Sequence, residues 1–134
     1  MKAITILQPW ASLIACGAKK IETRSWSTQY RGPLAIHAGR SVPSMNFFTP
    51  RMEKALCNED TSFGRVIAIA ELVDCVEMTN ESIAEWRHMY GDDEIAFGHF
   101  EPGRYAWILA NVRRIEPVPA KGRQRLWEWD DMRY

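Results

Sequence analysis

The stretch Ile6-Leu-Gln-Pro-Trp-Ala-Ser-Leu-Ile-Ala-Cys-Gly-Ala-Lys-Lys-Ile-Glu-Thr-Arg-Ser-Trp26 decides the reading of the chain, because a helix signal, a turn and a charged strand follow one another within it. Pro9 suits the first turn of a helix, where the amide it lacks would have no partner. Trp10, Leu13 and Ile14 fall at i, i+3 and i+4 and give that helix an apolar face. Gly17 stands where a glycine can take positive φ and end it. A short strand from Lys20 to Trp26 follows. Side chains alternate across a strand, so Lys20, Glu22, Arg24 and Trp26 share one face and Ile21, Thr23 and Ser25 the other, with Lys19 at the turn just before. Two cations, a carboxylate and an indole on one face are poor material for a core and suit a polar cleft. The ordinary alternative is a solvated face whose charges pair across the sheet for a fraction of a kcal/mol each. The tryptophans bracketing the run favour a site, since exposed aromatics beside cations are what stacking on a nucleobase requires.

Working outward, a length of 134 residues with an apolar fraction of 46% predicts one domain over residues 1–134 with a real core. No run approaches the roughly eighteen apolar residues of a membrane span, and the start of the chain lacks the apolar centre of a signal peptide. Cys16, Cys57 and Cys75 are odd in number and widely spaced, without Cys-x-x-Cys, and read as reduced thiols of a cytoplasmic protein. His37, His88 and His99 lack ligand spacing, so no metal site is expected, and nothing calls for a cofactor. The Asp92-Asp93-Glu94 cluster reads as a solvated acidic loop sooner than a Mg²⁺ site.

The chain is neutral overall, with 17 basic and 17 acidic side chains, but the charges are segregated. Residues 1–40 carry six Lys/Arg against one acid, residues 41–103 four against twelve, and residues 104–134 seven against four. If the two basic ends meet in space, they form a positive patch that attracts phosphate on an otherwise neutral protein.

Lys2–Leu7 alternates weakly and predicts a first strand. Residues 27–32 are turn material with Tyr30 and Arg31 near its tip, Pro33–His37 is a short strand, and Gly39-Arg40 leaves it with amides and a guanidinium suited to an anion. Thr49-Pro50 predicts the start of a short helix carrying Met52, Ala55 and Leu56, followed by an acidic loop over Asn58–Ser62. Arg65–Met78 is a long strand whose first half is apolar on both faces, as in a sheet centre. Thr79 caps a helix with Ile83, Trp86 and Tyr90 on its inner face, ended by Gly91. Two strands, Arg104–Ala110 and Val112–Val118, precede the basic turn Lys121–Arg125 and a last strand over Leu126–Trp129. Short strands with three modest helices predict an α+β architecture without a βαβ wrap.

These residues resemble a family. Gly17-x-Lys19-x-x-Glu22-x-Arg24 matches the signature of the ASCH domain, related to the PUA fold, and Gln8-Pro-Trp-Ala-Ser12, Arg24-Ser-Trp26, Tyr30-Arg-Gly32, Lys121-Gly122 and Leu126-Trp127 resemble its coactivator-type branch in order. The resemblance implies a PUA-like β-barrel of about five to seven strands flanked by about three helices, with a helix-flanked cleft near which both basic ends lie. It also implies RNA, single-stranded nucleic acid or a modified nucleoside as ligand, with a protein partner as a further option for the fold.

On that expectation the ligand-binding residues are Trp10, Lys19, Glu22, Arg24, Trp26, Tyr30, His37, Arg40, Lys121 and Arg123: cations on phosphate, rings on bases. Some small bacterial relatives hydrolyse the acetyl amide of N4-acetylcytidine with a Lys, a Thr and a Glu. Lys19 would be that Lys, Glu22 stands at the Thr position, and Glu71 and Glu85 are candidates for the Glu. Other relatives are described as ribonucleases. If this chain is an enzyme, Lys19, Glu22 and Arg24 are its catalytic set, with a desolvated Lys19 as base and Arg24 stabilising developing charge.

Overall fold

The computed structural model describes residues 1–56, 61–131 and 133. Six strands form one sheet: β1 (Lys2–Ile6), β2 (Ile21–Arg24), β3 (Gly32–Ala38), β4 (Arg65–Glu77), β5 (Tyr105–Pro119) and β6 (Leu126–Glu128), in the spatial order β2-β5-β4-β3-β1-β6. Four helices, α1 (Trp10–Ala15), α2 (Pro50–Leu56), α3 (Asn80–Tyr90) and α4 (Asp92–Ala96), and a 3₁₀ turn over Pro43–Phe47 accompany it. The acidic loop expected over Asn58–Ser62 lies largely outside the described residues, as does Cys57.

The sheet curls into a half-barrel. β2 and β1 are separated by three strands in the sheet order, yet the Arg24 guanidinium reaches the Thr5 carbonyl at 2.9 Å across the gap between them. Alternation explains the two packed faces. Ile4, Ile6, Leu34, Ile36, Ile67, Leu72 and Trp107 point inward with Ile14 of α1, while Ala3, Ala35, Val66, Ile69, Ile115 and Trp127 make a smaller cluster on the other face. β4, apolar on both faces in its first half, sits at the centre as its composition requires.

Several expectations change in physically informative ways. Asp92-Asp93-Glu94 is the first turn of α4, not a loop, where acidic side chains meet the positive end of the helix dipole. That makes four helices instead of three. The segments Arg104–Ala110 and Val112–Val118 form one strand of fifteen residues, because Asn111 takes φ +51 and the irregularity is absorbed as register shifts against β4. Asn is among the few residues that tolerate this conformation, so a bulge replaces a break. β1 and β3 run parallel, joined through α1 and β2, although no such crossover was expected. β2 forms no hairpin with a sequence neighbour. It pairs antiparallel with β5, and Ile21 is buried against Met78 and Ala106 under Ile83, Trp86 and Tyr90 of α3.

Candidate functional site

The motif turn is assembled by side chains that satisfy main-chain groups. Gln8 caps α1 from outside: its Oε1 accepts from the Ser12 amide at 2.9 Å and its Nε2 donates to the Ser62 carbonyl at 2.7 Å. Pro9 therefore takes the N-cap position and Trp10 the first helical one. Gly17 ends the helix at φ +85, and the chain turns directly into β2. Here Glu94 of α4, 1% exposed, accepts from the Lys20 amide at 2.8 Å and the Ile21 amide at 3.2 Å.

Lys19, also 1% exposed, donates from Nζ to the Ile21 carbonyl at 2.5 Å and lies 4.0 Å from Glu22. Glu22 in turn is held by Arg24, whose Nε and Nη2 approach its Oε2 at 2.9 and 2.8 Å. Burial pushes the Lys19 ammonium below the ordinary lysine value, while the carboxylates of Glu22 and Glu94 pull it up and the Arg24 charge pushes it down further. Ammonium, carboxylate and guanidinium thus form a continuous chain at the gap in the sheet.

That gap is a cleft of about 570 Å³. Its lining combines polar side chains, Lys19, Glu22, Arg24, His99 and Arg104 among them, with the apolar Trp10, Phe47, Met52 and Phe97. Trp10 tilts against Phe47 at 6.0 Å between ring centroids, and Phe47 is 65% exposed at the mouth. Trp26 meets Trp107 edge-on at 4.8 Å, and the Arg125 guanidinium covers it at 4.9 Å.

Of the residues expected from the sequence, Trp10, Lys19, Glu22, Arg24 and Trp26 line this cleft. Lys20, assigned to the same face as Glu22, instead points out, over Tyr90 and toward the Gly17 carbonyl. Tyr30 is outside the cleft, its hydroxyl donating to the Pro33 carbonyl. His37 is buried beside it, between the Thr5 hydroxyl on Nδ1 (3.1 Å) and the Ala120 carbonyl on Nε2 (2.8 Å). Burial is the main cause holding its imidazole below the ordinary value; the bond to Ala120 opposes this and Arg40 adds to it. Arg40 packs over Gly64. Lys121 and Arg123 are exposed on the C-terminal loop, which hangs on β1 and β3 through Gly122.

The basic ends do meet. Met1 donates its amino group to the Trp129 carbonyl, β1 pairs with β6, and Arg125 reaches Trp26. Arg125, Arg104, Phe47 and Glu94 escaped the sequence reading. Glu94 lies within α4 and Phe97 caps its C-terminus, an arrangement visible only once the segment is known to be helical. Among the described residues no group of three His, Cys, Asp or Glu could hold a metal ion, and no helix is long and apolar enough to cross a membrane.

Comparison with known proteins follows the same outline. The sequence profile of the ASCH domain matches residues 4–119. Activating signal cointegrator 1 from Homo sapiens is 26% identical over 136 residues, covering 95% of this chain but 22% of the relative, and the Mus musculus protein matches equally. The chain therefore spans under a quarter of these relatives' length. Among solved structures, ASCH from Zymomonas mobilis superposes with a TM-score of 0.61 at 16% identity, over 98% of this chain and 88% of that one. A single-site variant of a Zymomonas mobilis ASCH protein gives 0.54 at 19% identity, over 88% of this chain and 74% of its own.

Proposed function

The chain belongs to the ASCH domain family, a PUA-like family implicated in RNA binding, and from that premise we propose that its cleft binds single-stranded nucleic acid or a modified nucleoside, RNA first among them. One observation carries this reading. The Lys19–Glu22–Arg24 chain lies in a cleft also lined by Trp10, Trp26, Phe47 and Phe97, and the Arg125 guanidinium lies over Trp26. Lys19, Arg24 and Arg104 against the single carboxylate of Glu22 leave the cleft cationic. Arg24, with 24% of its side chain exposed, is the phosphate contact, and the buried Lys19 contributes charge from beneath. Trp10 and Phe47 offer ring faces to a base; at Trp26 a base must displace Arg125. Anisotropy of a labelled single-stranded RNA should report submillimolar affinity that weakens steeply with salt, and salt-independent binding or none defeats the proposal.

A second reading, a hydrolase on the same ligand class, is favoured by Lys19 itself. Burial is the main cause pushing its pKa down, against the opposing pull of Glu22, whose Oε1 stands 4.0 Å away while its Oε2 is bonded to Arg24. A desolvated amine is a competent base. Glu22 at the position of the amidohydrolase Thr weighs against the acetylcytidine version. Incubating the protein with N4-acetylcytidine and with RNA, beside a Lys19→Ala control, decides it: unchanged substrates remove the enzyme, and an equally active variant removes Lys19 from its site.

A further inference from the structure

β2 is the terminal strand of the sheet, and its outer edge faces the gap where the cleft lies. The register shows which main-chain groups that edge presents. The Leu109 amide donates to the Lys20 carbonyl at 3.1 Å, so that carbonyl faces β5, and with Ile21 opposite Ile108 and Thr23 opposite Ala106 the bonded pairs along β2 are Glu22 with Trp107 and Arg24 with Tyr105. Ile21 and Thr23 therefore turn both their N–H and C=O away from β5. The two groups of Ile21 are already taken, the amide by Glu94 and the carbonyl by Lys19. Two side chains there do what a neighbouring strand would do. The two groups of Thr23, a residue lining the cleft, have no such partner among the described residues. Its side chain is engaged elsewhere, Oγ1 accepting from the His99 amide at 3.1 Å.

We infer that the main-chain N–H and C=O of Thr23 read the hydrogen-bonding edge of a nucleobase, so the cleft selects bases whose adjacent donor and acceptor are free of substitution. This rests on the nucleic-acid reading above and assigns it a specificity element. The edge is too short for a peptide strand, which adds by bonding to several residues in succession. Ile21 is closed by Lys19 and Glu94, and β2 ends at Arg24, so one residue is open. A planar base needs only one: uracil, for example, carries N3–H beside a carbonyl oxygen, matching one C=O and one N–H. Arg24 is next along the chain for the phosphate, and Trp10 lines the same cleft for the ring.

The decisive probe is a labelled oligouridylate of about eight nucleotides, within the usual single-strand site size, against the same oligomer built from N3-methyluridine. Methylation removes the donor and keeps charge and stacking. Wild-type protein should prefer the unmethylated oligomer by on the order of tenfold, the cost of leaving a carbonyl unpaired. Thr23→Pro removes the outward amide of an edge strand, where proline is tolerated, together with Oγ1, and keeps the carbonyl; it should weaken binding of both oligomers several-fold and leave their ratio in place. Thr23→Val, which loses Oγ1 but keeps the amide, should retain the preference. Equal binding of the two oligomers by the wild-type protein overturns the inference and leaves the nucleic-acid reading standing. So does a loss of affinity that Thr23→Val reproduces as fully as Thr23→Pro. Failure to bind either oligomer, or displacement of bound oligouridylate by an extended peptide of alternating Thr and Val, overturns both.

Discussion

Two basic segments reach the gap in the half-barrel, and they are held there by opposite means. Lys19 and Arg24 are fixed through their charges: Glu22 lies between them, Glu94 grips the turn from below, and Lys19 is fully enclosed. Lys121, Arg123 and Arg125 are exposed, and their loop is fixed through its backbone, with Gly122 pressed against Thr5 and His37. The first arrangement makes cations part of the fold, so chemistry there cannot be altered without altering stability. The second leaves cations as a detachable surface. Removing a carboxylate should therefore hurt most in the first segment, and adding a methyl group in the second.

Glu94→Ala should give the largest effect. It strips the Lys20 and Ile21 amides of their acceptor in a buried setting, and two buried donors left unpaired cost about 2–5 kcal/mol in all. Urea unfolding measures it, and a loss under about 1 kcal/mol would mean that water replaces the carboxylate and the turn is not built as described.

Gly122→Ala comes next. A Cβ there would stand 2.7 Å from both His37 Cε1 and Thr5 Oγ1, so the loop must lift or the β1–β3 edge must yield. Overpacking of this kind costs about 1–3 kcal/mol. Because the loop is peripheral, amide exchange should accelerate from Ala120 to Trp127 and stay unchanged in β4. Uniform acceleration would show that the loop is as integral as the motif turn.

His37 sharpens the comparison through pH. Its neutral ring donates from Nε2 to Ala120 and accepts at Nδ1 from Thr5, and burial lowers its folded pKa below the unfolded one. The unfolded chain then binds more protons as pH falls. Stability is therefore full above the ordinary imidazole value near about 6.5 and declines on acidification until the folded value is passed. Urea midpoints across this range should fall for the wild type and stay flatter for His37→Gln; parallel curves would remove His37 as the clamp on the C-terminal loop.

The same contrast explains what the sequence disclosed. The motif turn was legible because its residues are local: Pro9, Trp10, Gly17 and the alternation from Ile21 to Arg24 are read within one helix and one strand. Its depth was not, since Glu94 arrives from seventy-odd positions away, and a carboxylate beside two others reads as solvated until α4 is known. Trp26 lines the cleft, but its covering by Arg125 was invisible, because Arg125 reaches it from a backbone at φ +59 that no propensity anticipates. Tyr30 and His37, both expected at the site, each bond a main-chain carbonyl, that of Pro33 and that of Ala120, partners that side-chain type alone does not reveal.

The smallest expected change in stability belongs to the double variant Lys121→Gln with Arg123→Gln, and it tests the detachable surface most directly. Both side chains are exposed, so unfolding should shift by no more than about 0.5 kcal/mol. If they meet phosphates, the dependence of log affinity on log salt should flatten by about 0.7 for each cation removed, with little change in base preference. Arg24→Gln must behave differently. It breaks the bond to Glu22 and the bridge to Thr5, so affinity, preference and stability should fall together. A double variant that loses stability as Arg24→Gln does would show both basic segments built into the fold, and a salt slope left unchanged would confine phosphate contact to the cleft.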